Sequence, residues 1–381
     1  MELPFDGERL DQLMSEAGVD VVLATTRHAT RYLLGGYRYH FYADVDPMGR
    51  SRYLSVVGYP RSRPDGAFFV GLPGETPQLD REGIWVPDVR ATARSSVEAA
   101  AVAADAITSL GLGGGTIAVE MPFLPADAYG ELSRRLAHAT LVDAVPILED
   151  LRAIKRPGEL ALLREASDRI VESMQAVIGA AEPGVTTREI AQRLRAEEVA
   201  RNLGFDYCLA ATARSFYRAP GDDRWDAGTT ISLDSGGNRE GYIGDLARMA
   251  VMGEPDAAMR ELLAEIDAVQ MAARAPIRDG ADGAEIFATA QRELARMPHR
   301  DQTVFEAHGM GVVHHEAPHI EAGASVPLAA GMVLSIETTL KNPEVGFVKL
   351  EDTVVVTETG WDAYGDGARG WNVAGAVASA R

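Results

Sequence analysis

Two stretches of the sequence place pairs of carboxylates where a sheet does not ordinarily hold them. In LDSGGNREGYIGDLA (233–247), Asn238-Arg239-Glu240-Gly241 reads as a turn between two strand-like runs. Asp234 and Asp245 are equidistant from the middle of that turn, so a hairpin with this loop is expected to set them face to face. In GMVLSIETTLKNPEVGFVKLEDTVVVTETG (331–360) the turn centres on Glu344, and Glu337 and Glu351 are equidistant from it. Like charges directly opposite one another destabilise a sheet. A single carboxylate on a strand is best read as pointing to solvent. Two symmetric pairs on strands of Ile, Leu and Val are not, because buried anions need a compensating cation. Between the hairpins, AHGMGVVHHEAPHI (307–320) holds four of the chain's eight histidines: His308, His314, His315 and His319. His308 follows TVFEA at a strand end, and Gly309 and Gly311 are expected to let the backbone turn tightly. Four carboxylates and an imidazole form a hard, oxygen-rich donor set. It suits Mn²⁺, Co²⁺, Fe²⁺ or Zn²⁺ in a two-metal cluster, with the ions roughly 3.5–4 Å apart.

The elements that must position these residues follow from periodicity and caps. Residues 1–150 read as an α/β domain. Strands are expected in 19–26, 66–72 and 115–121, and a helix over 95–111 ended by Gly111. The run GLGGGT (111–116) follows a helix and precedes a strand, the reverse of a phosphate loop, and reads as a helix stop plus turn. At 145–158 the character changes, and Pro157 suits the first turn of a long helix. A second domain, 151–381, carries a faint internal repeat. Residues 184–194 and 280–294 each open with Gly and a capping-box pattern, Thr186 to Glu189 and Asp282 to Glu285. Each follows a long helix and precedes an acidic strand. Two helix–helix–hairpin halves closed around a shared sheet are expected.

Composition narrows the partners. The chain has 381 residues, 46% hydrophobic and 24% charged, the profile of a two-domain globular protein. A net charge of −19 argues against nucleic acid or an anionic membrane surface as partner. No apolar run is long enough for a membrane helix, the N-terminus MELPFDGERL lacks a secretory apolar region, and a cytoplasmic location is expected. Cys208 is the single cysteine, which excludes a thiolate-rich zinc site, and its apolar setting reads as buried filler.

The set LDSGGNREGYIGDLAR, HGMGVVHHEAP, GMVLSIE and KLED resembles the M24 metallopeptidase family of aminopeptidase P, prolidase and creatinase, and LEDLRAIKRPGELALLREAS resembles the segment opening that family's catalytic domain. The resemblance covers about 145–360. It implies a creatinase-like α/β N-terminal domain, an α+β catalytic domain of pita-bread fold with a pseudo-twofold repeat, and a homodimer. It makes Asp234, Asp245, His308, Glu337 and Glu351 ligands of two divalent ions, Mn²⁺ before Co²⁺, Fe²⁺ or Zn²⁺. His315 would polarise the scissile carbonyl, and Glu337 would also handle the proton of the attacking water. Tyr217, His315 and Lys349 would line the substrate.

Three features depart from the family pattern. Tyr217 stands where the peptidases carry a histidine, and it cannot become an imidazolium. Lys349 replaces a common arginine, a point charge in place of a fork. The segment after Asp245 reads DLARM, without the family's threonines. Three readings follow. One is a metal-dependent hydrolase of an amide C–N bond, acting on Xaa-Pro peptides or on a small metabolite. A second is a metal-assisted lyase with Tyr217 as base. The third is a non-catalytic binding module, which the complete set of five ligands disfavours. The aromatic stretch 35–46 reads as a surface loop or as one that reaches into a catalytic pocket. His314 and His319 have no assigned role.

Overall fold

The computed structural model describes residues 2–42 and 53–374, so part of the 35–46 stretch lies outside the described residues. The chain divides into two compact units, Met1–Arg152 and Ala153–Arg381.

The first unit is a six-stranded mixed sheet with helices. Strands Val21–Ala24, Phe68–Val70 and Thr116–Val119 fall within the three runs read as strands. The Ser96–Ser109 helix starts at Ser95, whose Oγ accepts from the Glu98 N–H at 3.2 Å. Its small face, Ala99, Ala100, Ala103 and Ala104, packs in one core with Val21, Leu23, Phe68 and Val70. Gly111 follows its end at φ +77°, the left-handed conformation that makes GLGGGT a helix stop.

The second unit opens with α1 (Pro157–Gly179) and α2 (Thr187–Ala200), then β1 (Gly204–Thr212) and the hairpin β2 (Thr230–Arg239) and β3 (Tyr242–Val251). The same order repeats in α3 (Ala257–Arg274), α4 (Ala284–Leu294), β4 (Thr303–Gly309), β5 (Val333–Asn342) and β6 (Gly346–Val356). The main sheet path is β4-β5-β6-β3-β2-β1, a palindrome of the two halves. β3 and β6 meet antiparallel, with Ala247 opposite Glu351. Leu233 and Leu246 pack against Ala166, Ile170 and Met174 of α1, and Leu334 and Ile336 against Val269 and Ala273 of α3. Strand alternation therefore sends the neighbours Asp234, Asp245 and Glu337 to the opposite face.

Two local expectations are corrected. The first hairpin turns on two residues, Glu240 (φ +52°) and Gly241 (φ +86°), the twist a two-residue hairpin favours. Its register therefore sets Asp234 opposite Ala247 and Asp245 opposite Gly236. The aspartates are diagonal neighbours, not facing ones. The partner moves by two positions, so both stay on one face. In the second hairpin Glu337 does lie opposite Glu351. The Thr186–Glu189 capping box forms, with reciprocal bonds of 3.2 and 2.9 Å. The Asp282–Glu285 box does not. Asp282 instead accepts from the Ala284 N–H at 3.0 Å and, in tertiary bonds, from Ser325 Oγ at 2.8 Å and the Val326 N–H at 3.1 Å, and Gly283 stands at the cap.

Candidate metal centre

The acids meet across the β3–β6 seam. Among the described residues, Asp245, His308 and Glu351 present donor atoms that all lie within 4.8 Å of one another, and all three residues are buried. His308 is the penultimate residue of β4, and its Nδ1 lies 3.2 Å from the Gly309 carbonyl oxygen, a bond that leaves Nε2 as the nitrogen able to hold a metal. Burial lowers its pKa, favouring the neutral ring that a metal needs. Gly309 and Gly311 have ordinary φ values and are required for closeness instead. A Cβ on Gly309 would sit 2.4 Å from the Glu316 carbonyl oxygen, and one on Gly311 would sit 2.3 Å from Glu316 Oε1.

Asp234 and Glu337 join the cluster through Lys349. Its Nζ lies 2.6 Å from Asp234 Oδ2 and 2.9 Å from Glu351 Oε2, and it also pairs with Glu337 Oε2. Lys349 is only 5% exposed. It was expected to line the substrate; the structure instead places its ammonium among three of the carboxylates. Burial disfavours that charge, but Glu351, Asp234 and Glu337 outweigh it and raise the lysine's pKa. Burial raises the pKa of Glu351, with Asp245 adding to it, and burial likewise raises that of Glu337 against the opposing Lys349.

Four further groups were not assigned from sequence. Arg218 pairs with Asp234 Oδ2 and lies 4.8 Å over the Phe347 ring. The Tyr207 hydroxyl bonds Asp245 and lies 3.3 Å from Asp234 Oδ1. His314 Nδ1 lies 3.1 Å from Asp245 Oδ2. Burial opposes the Asp245 charge, but His314, Tyr207 and Lys349 hold its carboxyl below the usual range. The Ser335 hydroxyl donates to Glu351 Oε1 at 2.8 Å. One sequence signal pointed this way: Gly236, opposite Asp245, would set a Cβ 2.3 Å from the Tyr207 ring and 2.6 Å from His314.

His315 stacks on His308, centroids 3.7 Å apart, yet stays exposed. Tyr217 is 66% exposed, and its N–H donates to Ser215 Oγ at 3.1 Å. His319 is exposed, and Cys208 is buried, with its thiol pKa pushed up by that burial. Among the described residues no helix is long and apolar enough to cross a membrane.

Comparison with known proteins places this arrangement. The model of Metallopeptidase family M24 matches residues 161–358, the unit that carries every one of these side chains. The chain belongs to metallopeptidase family M24. A Creatinase/Prolidase N-terminal domain matches residues 8–154 of this M24 chain. An uncharacterised peptidase of Bacillus subtilis is 24% identical over 371 residues, covering 93% of this chain and 95% of that protein. A Xaa-Pro dipeptidase of Pyrococcus furiosus is 28% identical over 220 residues, covering 56% of this chain and 63% of that protein. The crystal structure of an X-Pro aminopeptidase from Thermotoga maritima superposes with a TM-score of 0.81 at 20% identity, covering 96% of this chain and 99% of that one, and so shares its fold.

Proposed function

We propose that this chain is a divalent-metal-dependent hydrolase that cleaves the C–N bond of a peptide or other small amide. The observation that carries the reading is the buried triad Asp245, His308 and Glu351, with donors within 4.8 Å, beside the exposed ring of His315. The oxygen-rich donor chemistry fits a divalent first-row ion, with Mn²⁺ first, and one nitrogen and two carboxylates leave room for substrate. Asp234 and Glu337 are the further donors that a second ion would need. Bound there, an ion supplies Lewis acidity, polarising a carbonyl and making water nucleophilic at neutral pH.

The chain's own groups do the rest. His315 is held by its stack on His308 and donates to the carbonyl oxygen as charge builds on it. Partial desolvation against the stacked ring, with the His308 charge adding to it, lowers the pKa of His315, so the ring donates as a neutral imidazole. Glu337, its pKa raised by burial, takes the proton of the attacking water and returns it to the leaving nitrogen.

The Xaa-Pro dipeptidase relatives make Xaa-Pro peptides the first substrates to test. A second reading, a small non-peptide amide, is favoured by Tyr217, exposed where the family's peptidases carry a histidine. A screen of Mn²⁺-, Co²⁺- and Zn²⁺-loaded protein against Xaa-Pro dipeptides, Xaa-Pro tripeptides and small amides separates the two. Xaa-Pro hydrolysis at a kcat/KM in the usual range of about 10⁴–10⁸ M⁻¹s⁻¹ selects the peptidase. Turnover confined to small amides selects the metabolite hydrolase, and no metal-dependent hydrolysis of any of them would sink the proposal.

A further inference from the structure

The carboxylates of the centre are not equivalent. Both oxygens of Asp234 are engaged by groups of the chain itself: Oδ2 by Lys349 and Arg218, Oδ1 by the Tyr207 hydroxyl at 3.3 Å. Glu337 is turned to the same ammonium through Oε2, and Glu351 shares it at 2.9 Å. Asp245 and His308 have no contact with Lys349 or Arg218 among the ion pairs and hydrogen bonds described above. The cluster is thus divided. On one side three carboxylates surround a buried lysine, and on the other Asp245, His308 and Glu351 converge on common space.

We propose that the Lys349 ammonium is a resident cation standing where a second ion would be shared by Asp234, Glu337 and Glu351, so that this chain holds one divalent ion, on Asp245, His308 and Glu351. The inference rests on the metal-dependent reading above and refines it. An ion bound by Asp234, Glu337 and Glu351 would lie within hydrogen-bond reach of an ammonium that those same oxygens already hold, and like charges at that range repel strongly in a buried site. Charge counting agrees. Four carboxylates are balanced by one ammonium, one guanidinium and one divalent ion, whereas a second ion leaves an excess of positive charge in a buried space. An arginine, with its charge spread over a longer planar fork, need not seat a compact charge among those oxygens. A lysine here delivers a single hydrated-ion-sized charge to them. The leucine, isoleucine and valine packing around β6 fixes its stem, since every residue of that strand is buried.

The test counts ions instead of turnover. Full-length protein is loaded with Mn²⁺, desalted and assayed by elemental analysis against protein concentration, with the manganese electron paramagnetic resonance spectrum recorded alongside. The expectation for the unmodified chain is one ion per chain and the spectrum of an isolated ion. Lys349→Met, which keeps the stem and removes the charge, should take up two ions and show an exchange-coupled pair. Lys349→Gln provides the same test should the methionine variant fail to fold. Two ions in the unmodified chain would overturn the proposal and leave the hydrolase reading intact. One ion in both the unmodified chain and the variants would also overturn it, because a group other than Lys349 would then exclude the second ion. No ion in any form would remove both this inference and the metal-dependent reading beneath it.

Discussion

Glu351 and Asp352 are adjacent on β6, and the sheet sends them to opposite faces. Both are almost fully buried, yet they solve burial in opposite ways. On the helix-covered face Asp352 pairs with Arg248 Nη2 at 2.7 Å, with Arg274 and with Arg369, and both Arg248 and Arg274 are fully buried. Their charge, with burial opposing it, holds the Asp352 carboxyl below its usual range. Here Arg248, Arg274 and Arg369 are matched by Asp352, Asp366 and Asp267, all groups of the chain itself, and the Gly367 carbonyl lies 2.7 Å from Arg248 Nε. On the other face Glu351 meets Asp234, Asp245 and Glu337 with one lysine among them and Arg218 at the edge. That face is short of positive charge. A closed network holds a fold, and a deficient one is where an external cation has something to bind. A buried charge cluster is therefore informative about function only once its balance has been counted.

The largest effect expected from this contrast is on the deficient face. Asp245→Ala should lower metal content and reduce turnover to background while circular dichroism stays native-like. Full activity with full metal content would break the comparison at its root. On the closed face the sign reverses, with stability lost first. Asp352→Ala leaves Arg248 buried without its counter-ion and Arg274 with Asp366 alone, and removing one partner of a buried pair costs about 3–5 kcal/mol. Urea unfolding should show that loss, and a midpoint close to that of the unmodified chain would mean that backbone carbonyls suffice for Arg248 and Asp366 for Arg274. A smaller effect separates catalysis from ion holding. His315→Ala should lower kcat by about 10²–10³-fold with metal content unchanged. Reduced metal occupancy with kcat per bound ion preserved would instead make His315 a ligand.

The smallest effect concerns a third way to bury an acid, with neither metal nor arginine. Glu198 of α2 is fully buried, and Ser235 Oγ donates to its Oε1 at 2.8 Å. Burial pushes its pKa up to about 8, with the Ser235 bond opposing. An unfolded glutamate titrates near about 4.3. Between those values the native state holds a proton that the unfolded state has lost. The contribution is therefore complete below about pH 4.3 and is lost as pH rises through the folded value. Glu198→Gln should flatten the fall of stability with pH in that window, measured by denaturant titration. An identical slope would show that another group carries it.

Much of this was legible from residue order. The two-half architecture follows from helix periodicity, and Glu337 opposite Glu351 follows from a turn centred on Glu344. The first register slipped because NREG offers two overlapping turns. The choice between them depends on Glu240 accepting a left-handed φ, which propensity does not favour for glutamate. The Asp282–Glu285 box failed because Asp282, beyond its bond to the Ala284 N–H, is drawn to Ser325 and Val326, far along the chain. The same limit hid Tyr207, Arg218 and His314. Each acts only through an oxygen brought by another strand, and none sits in a pattern that spacing could reveal. Lys349 was legible as a departure from the family, while the direction of its side chain was a tertiary fact.

The β3–β6 seam has a consequence for the chain as it is made. Synthesis completes the first hairpin, with Asp234 and Asp245, well before Val333–Val356 emerges. Until then β3 is an unpaired sheet edge, the kind of surface that recruits foreign strands. Its Asp245, with Asp234 beside it on β2, lacks Lys349, and that charge is then a safeguard, because a carboxylate-bearing edge resists stacking on its own kind. The carboxylates of the proposed metal centre would first serve the nascent chain as a guard against aggregation.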